Sequence, residues 1–131
     1  MTGGHWHAYA WTGSDRPRDA DRRDPTLPVP PLTISEWLHK GAVHLLATYD
    51  MPDGQTAAQQ WLAAELDRYP RGPRDLPPSV QLAHAMDLIS RSTDVVWGYW
   101  SAHGRYISRA LIVCPRAGAP CPYQRAGRQA A

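Results

Sequence analysis

His5-Trp6-His7 sets two imidazoles two positions apart, and Cys114-Pro115 and Cys121-Pro122 set two thiols near the other end of the chain. Neutral imidazole nitrogen and thiolate sulfur are the donors of tetrahedral zinc sites. In an extended segment, side chains two positions apart lie on one face, so His5 and His7 can point at a common ion. The cysteine spacing argues the other way. Structural zinc cysteines commonly stand two to four residues apart, whereas six residues separate Cys114 from Cys121. On sequence alone zinc at His5, His7, Cys114 and Cys121 is the minority reading. The plainer one has a buried Cys114, an exposed turn at Cys121, and the prolines as rigid exits from a strand. A disulfide across the short loop and a thiolate offered to haem iron are lesser alternatives.

A shared site requires the two ends of the chain to meet, so the elements between them matter. From His5 to Thr12 the pattern alternates: His5, His7, Tyr9 and Trp11 on one face, Trp6, Ala8 and Ala10 on the other. This predicts a strand. The segment 13–31 is rich in Asp, Arg and Pro and predicts a solvated loop. Thr33 with Glu36 forms a capping box, with Leu32 and Trp37 placed as a hydrophobic staple. The spacing that follows predicts a helix up to Pro52, with a possible break at Gly41. A second helix runs from Asp53 to Pro70, with Ala58, Trp61, Leu62, Leu66 and Tyr69 inward. A third runs from about Pro78 to Ser90, with Val80, Leu82, Ala83, Met86 and Ile89 inward. Two apolar runs around His103-Gly104 predict a hairpin. A two-residue turn would set Trp100 opposite Ile107, Gly98 opposite Arg109 and Val96 opposite Leu111.

The expected architecture is therefore one α+β domain over residues 1–131. It has a small three-stranded sheet, made of the N-terminal strand plus the C-terminal β-hairpin, with three helices packed on one face and a frayed tail at 123–131. The first strand is expected to run parallel to the first hairpin strand and to reach it through the helical crossover. The hairpin return then ends where the first strand begins. That brings His5 and His7 near Cys114, with Asp94 beside them.

Composition narrows function only by exclusion. The 131 residues hold six Trp, six Tyr and no Phe. Lys40 is the only lysine among fourteen basic residues, which suits a GC-rich gene better than a functional demand for arginine. No secretory leader or membrane-length apolar run is read, so a cytoplasmic location with reduced thiols is expected. There is no GxSxG, HExxH, phosphate loop or acid pair, and the reading leans away from an enzyme. The leading expectation is a small stand-alone binding protein. Its aromatic strand surface, at Trp6, Trp11, Trp97, Tyr99 and Trp100, would hold a protein partner, a second copy or an apolar ligand. Residues 1–94 carry net charge −3 and residues 95–131 carry +5. The alternative is accordingly a nucleic-acid-binding hairpin using Arg105, Arg109 and Arg116. A small enzyme with a Trp/Tyr-lined pocket is the third reading.

Overall fold

The alternation after Gly4 does produce a strand: β1 spans His5–Gly13. In the computed structural model, which describes residues 4–34 and 36–122, the class is α+β as expected. The tail expected at 123–131 lies outside the described residues. The remaining strands are β2 (Leu45–Asp50), β3 (Val95–Trp100) and β4 (Tyr106–Cys114). They form a four-stranded antiparallel sheet in the order β2-β1-β4-β3. The helices are α1 (Asp19–Arg23), α2 (Glu36–His39), α3 (Gln55–Arg68) and α4 (Pro78–Ser90).

Three expectations about the sheet and its layers are corrected. First, the sheet has a fourth strand, and the long helix expected between Thr33 and Pro52 does not form. The chain makes one turn of helix, reverses at Gly41 in the left-handed region (φ +76°), and returns as β2 along the edge of β1. A short apolar run satisfies both periodicities, and here sheet pairing outweighs helix propensity. Second, β1 and β3 share a direction, since each is antiparallel to β4, but β1 lies against β4 rather than β3. Third, the helices do not share one face. α3 and α4 pack with Trp6, Ala8, Val95, Trp97, Tyr99, Ile107 and Leu111 in the larger core. On the opposite face Trp37 and Leu38 of α2 pack with Tyr9, Ala110, Ile112, Cys114 and Cys121.

The hairpin turn is one residue longer than expected. Ala102, His103 and Gly104 bridge Ser101 to Arg105, with Gly104 at φ +81° and Ser101 N donating to Arg105 O at 2.7 Å. The register becomes Trp100 opposite Tyr106, Gly98 opposite Ser108 and Trp97 opposite Arg109. A one-residue slip exchanges the faces of a strand. Arg109 therefore sits beneath the helices, away from the face carrying Trp100. Gly98 is needed on that other face: a Cβ there would stand 2.5 Å from the Tyr106 hydroxyl.

α3 and α4 form close to where the sequence places them, with no side-chain hydrogen bond from either N-cap residue. The buried stripe of α4 is Gln81, Ala85 and Ile89, while Val80 and Ala83 are exposed. The segment 13–31 is better anchored than a solvated loop. Arg22 donates to the carbonyls of Pro30 and Pro31, and Lys40 Nζ donates to those of Asp24 and Leu27.

Candidate metal centre

Three separate stretches of chain deliver four donor atoms to one point. β1 supplies His5 and His7 on the face that also holds Tyr9. The end of β4 supplies Cys114, which stands opposite His5 in the ladder. Cys121 returns through a turn in which Ala119 N donates to Arg116 O at 3.2 Å and Gly118 adopts φ +78°. That turn accounts for the long cysteine spacing: the chain leaves the sheet at Cys114, reverses, and brings Cys121 back over the imidazoles.

The ligand atoms of His5, His7, Cys114 and Cys121 all lie within 4.8 Å of one another. His5 Nε2 is 3.1 Å from His7 Nε2, His7 Nε2 is 3.3 Å from Cys121 Sγ, and Cys121 Sγ is 3.5 Å from His5 Nε2. In a tetrahedron built from ordinary zinc bond lengths, nitrogens stand about 3.3 Å apart and nitrogen and sulfur about 3.6 Å. The observed edges approach these values, and the cluster can hold a metal ion. His7, Cys114 and Cys121 are buried; His5 is half-buried.

The surroundings orient the donors. His7 Nδ1 is 3.0 Å from Thr48 Oγ1 on β2. Ligation through Nε2 requires the ring proton on Nδ1, and Thr48 is placed to accept it, the usual device for fixing the tautomer of a ligating histidine. Asp94 holds the cysteine turn from below. Its carboxylate accepts from Val113 N at 2.7 Å and from both terminal nitrogens of Arg116 at 2.7 and 3.1 Å. Gly4 permits close packing at the strand start, where a Cβ would meet Cys114 O at 3.0 Å.

Burial sets the protonation of the cluster. It pushes the His7 imidazole down to about 4, helped by the charge of His5. It lowers His5 too, against the opposing pull of Asp50. It raises the Cys114 thiol to about 12, together with the hydrogen bond and charge of Cys121 and against Arg116. Neutral imidazoles are ready ligands. The thiols must give up their protons to bind, and a cation at their centre supplies the charge that burial otherwise denies Cys114.

The other site residues fall elsewhere. Trp6, Trp97 and Tyr99 are buried under α3 and α4, with Trp6 Nε1 donating to Thr93 O and the Tyr99 hydroxyl to Tyr69 O. Trp100 is 43% exposed, and Trp11 is half-buried. Both rings meet Tyr106, at centroid distances of 5.5 and 6.5 Å. Of the three arginines, Arg105 is exposed and Arg116 pairs with Asp94. Arg109 is 3% exposed; its Nε donates to Glu65 Oε1 at 2.6 Å, and its terminal nitrogens donate to Trp11 O, Ser108 O and Thr12 Oγ1. The sequence reading missed Thr48 because its segment was read as helix. It also left Asp94 without a role beyond proximity, though an acid just before a strand and an arginine just after its partner were available as a signal.

The chain was compared with protein-family models, with curated proteins and with solved structures, and no match was found in any of them. No helix among the described residues is long and apolar enough to cross a membrane.

Proposed function

We propose that this chain is a zinc-binding protein in which His5, His7, Cys114 and Cys121 hold one ion. The observation that carries the reading is the convergence of two nitrogen and two sulfur donors within 4.8 Å from positions more than a hundred residues apart. Zinc suits a tetrahedral set of two imidazoles and two thiolates with no oxygen donor. With all four donors bound, the ion ties the first strand to the segment that follows the last one. Its binding energy then adds to folding energy.

Metal analysis of protein purified without added chelator tests this directly. About one zinc per chain is expected, with bonds of about 2.3 Å to sulfur and about 2.0–2.1 Å to nitrogen by X-ray absorption. A chelator should lower the melting temperature. Metal-free protein whose melting ignores both zinc and chelator would overturn the reading.

A second reading concerns what the clamped scaffold presents. Trp100, Tyr106 and Trp11 line one half of the sheet face whose other half is covered by α2, and Val96 is 44% exposed beside them. This patch supports binding of a protein partner or an apolar ligand, on fewer residues than the sequence suggests. Trp100→Ala should abolish such binding and leave zinc content unchanged.

A further inference from the structure

The four ligands of the centre are not equivalent. His7, Cys114 and Cys121 are buried, whereas His5 is half-buried. His5 also lines a cavity of about 480 Å³ whose other walls are Leu45, Leu46, Ala47, Thr48 and Asp50 of β2. Thr48 is the residue that faces His7 Nδ1, so the cavity reaches the edge of the metal centre. His5 and Cys114 face each other in the ladder, and Cys121 is held by the Arg116 turn, itself fastened to Asp94; of the four ligands, His5 is the one that lines the cavity. Two cysteines and one histidine are a recurrent protein ligand set for zinc sites that keep a position for an exogenous group.

Resting on the zinc reading above, we propose that His5 is the exchangeable ligand of this centre. A small neutral nitrogen donor, entering from the cavity, takes its place on the metal. One metal–nitrogen bond breaks and another forms, with no change in oxidation state. Charge selects the ligand class. A divalent ion with two thiolates is neutral overall, and Asp50, the ladder partner of His5, adds a negative charge at the cavity wall. An incoming anion would meet that carboxylate with no excess positive charge to offset it. A neutral amine or imidazole does not, and can donate a hydrogen bond to it. The aliphatic wall of Leu45, Leu46 and Ala47 suits a ligand with an apolar body.

The test uses the full chain loaded with Co2+, a paramagnetic stand-in for zinc, with Zn2+-loaded protein as the diamagnetic control. Imidazole and acetate serve as neutral and anionic probes, and the broadening of their proton resonances reports direct approach to the ion. Wild-type protein should broaden imidazole and leave acetate sharp. His5→Ala should hold Co2+ more weakly than the wild type but more tightly than His7→Ala, and once loaded it should broaden imidazole at concentrations about tenfold lower or less, since no internal ligand has to leave first. His7→Ala should lose the ion. If wild-type protein takes up no stoichiometric Co2+, the zinc reading itself falls. If it takes up the ion but imidazole stays sharp, or if His5→Ala loses the ion as fully as His7→Ala, exchange at His5 is overturned and the zinc reading stands. Acetate broadened as strongly as imidazole would overturn the ligand class. The wild-type titration decides the matter even where a variant folds poorly.

Discussion

His7 Nδ1 faces Thr48 Oγ1 at 3.0 Å while Nε2 of the same ring faces Cys121 Sγ at 3.3 Å. One imidazole thus joins the edge strand β2 to the last described turn of the chain. Thr48→Val keeps the shape of the side chain and removes the acceptor. Zinc affinity should fall by about ten- to a hundredfold, as for other residues that orient ligating histidines. Competition with a chromophoric chelator measures this. Unchanged affinity would remove Thr48 from the centre.

The chelated protein should have a pH window of maximal stability. Unfolded, the His7 imidazole titrates near 6.5; folded, it is held down at about 4, so between these values the unfolded chain binds the extra proton. Stability from this group is present above pH 6.5 and is lost as pH falls toward 4. Cys114 works at the other end. Its folded thiol is raised from 9.0 to about 12, so its contribution is present below 9 and is lost as pH rises toward 12. Denaturation midpoints in chelator should peak between these limits. A midpoint flat from pH 7 down to 4 would contradict the burial of His7.

Asp94→Ala removes the acceptor of a backbone amide and of a guanidinium together. An unpaired Val113 N–H at the sheet is expected to cost about 1–3 kcal/mol. The turn that returns Cys121 loses its anchor, so zinc affinity should fall as well. Loss of affinity with unchanged stability, or the reverse, would show that Asp94 serves only one of the two.

Arg109→Ala leaves Glu65 without its ion-pair partner in a nearly closed environment. The expected loss is about 3–5 kcal/mol in a denaturant titration. Arg105→Ala, at an exposed turn, should leave the midpoint where it is. Equal effects would contradict the observed register. Any nucleic-acid affinity at low salt should respond to Arg105 and not to Arg109, because only the former reaches the surface.

Much of this was legible in the sequence where signals were local. The alternation of His5 to Thr12 placed both imidazoles on one face, and α3 and α4 follow from apolar spacing and terminal prolines. The meeting of His5 and His7 with Cys114 followed from a strand direction that the sheet bears out, through a different neighbour.

What the sequence by itself determined is the period of each segment and the donor chemistry at its two ends. Tertiary structure decided which faces those segments turned to one another. Leu45–Asp50 fits helix or strand until β1 offers it an edge to pair with, and only then does Thr48 reach His7. One extra residue in the turn at Gly104 moved Arg109 from the expected surface into an ion pair with Glu65. The Cys121 thiol joins the histidines through the turn at Arg116, whose guanidinium pairs with Asp94 twenty-two residues earlier. Local patterns are fixed by nearest neighbours along the chain. Pairing, register and the closing of a ligand set are fixed by the free energy of contacts between distant segments, which no single segment encodes.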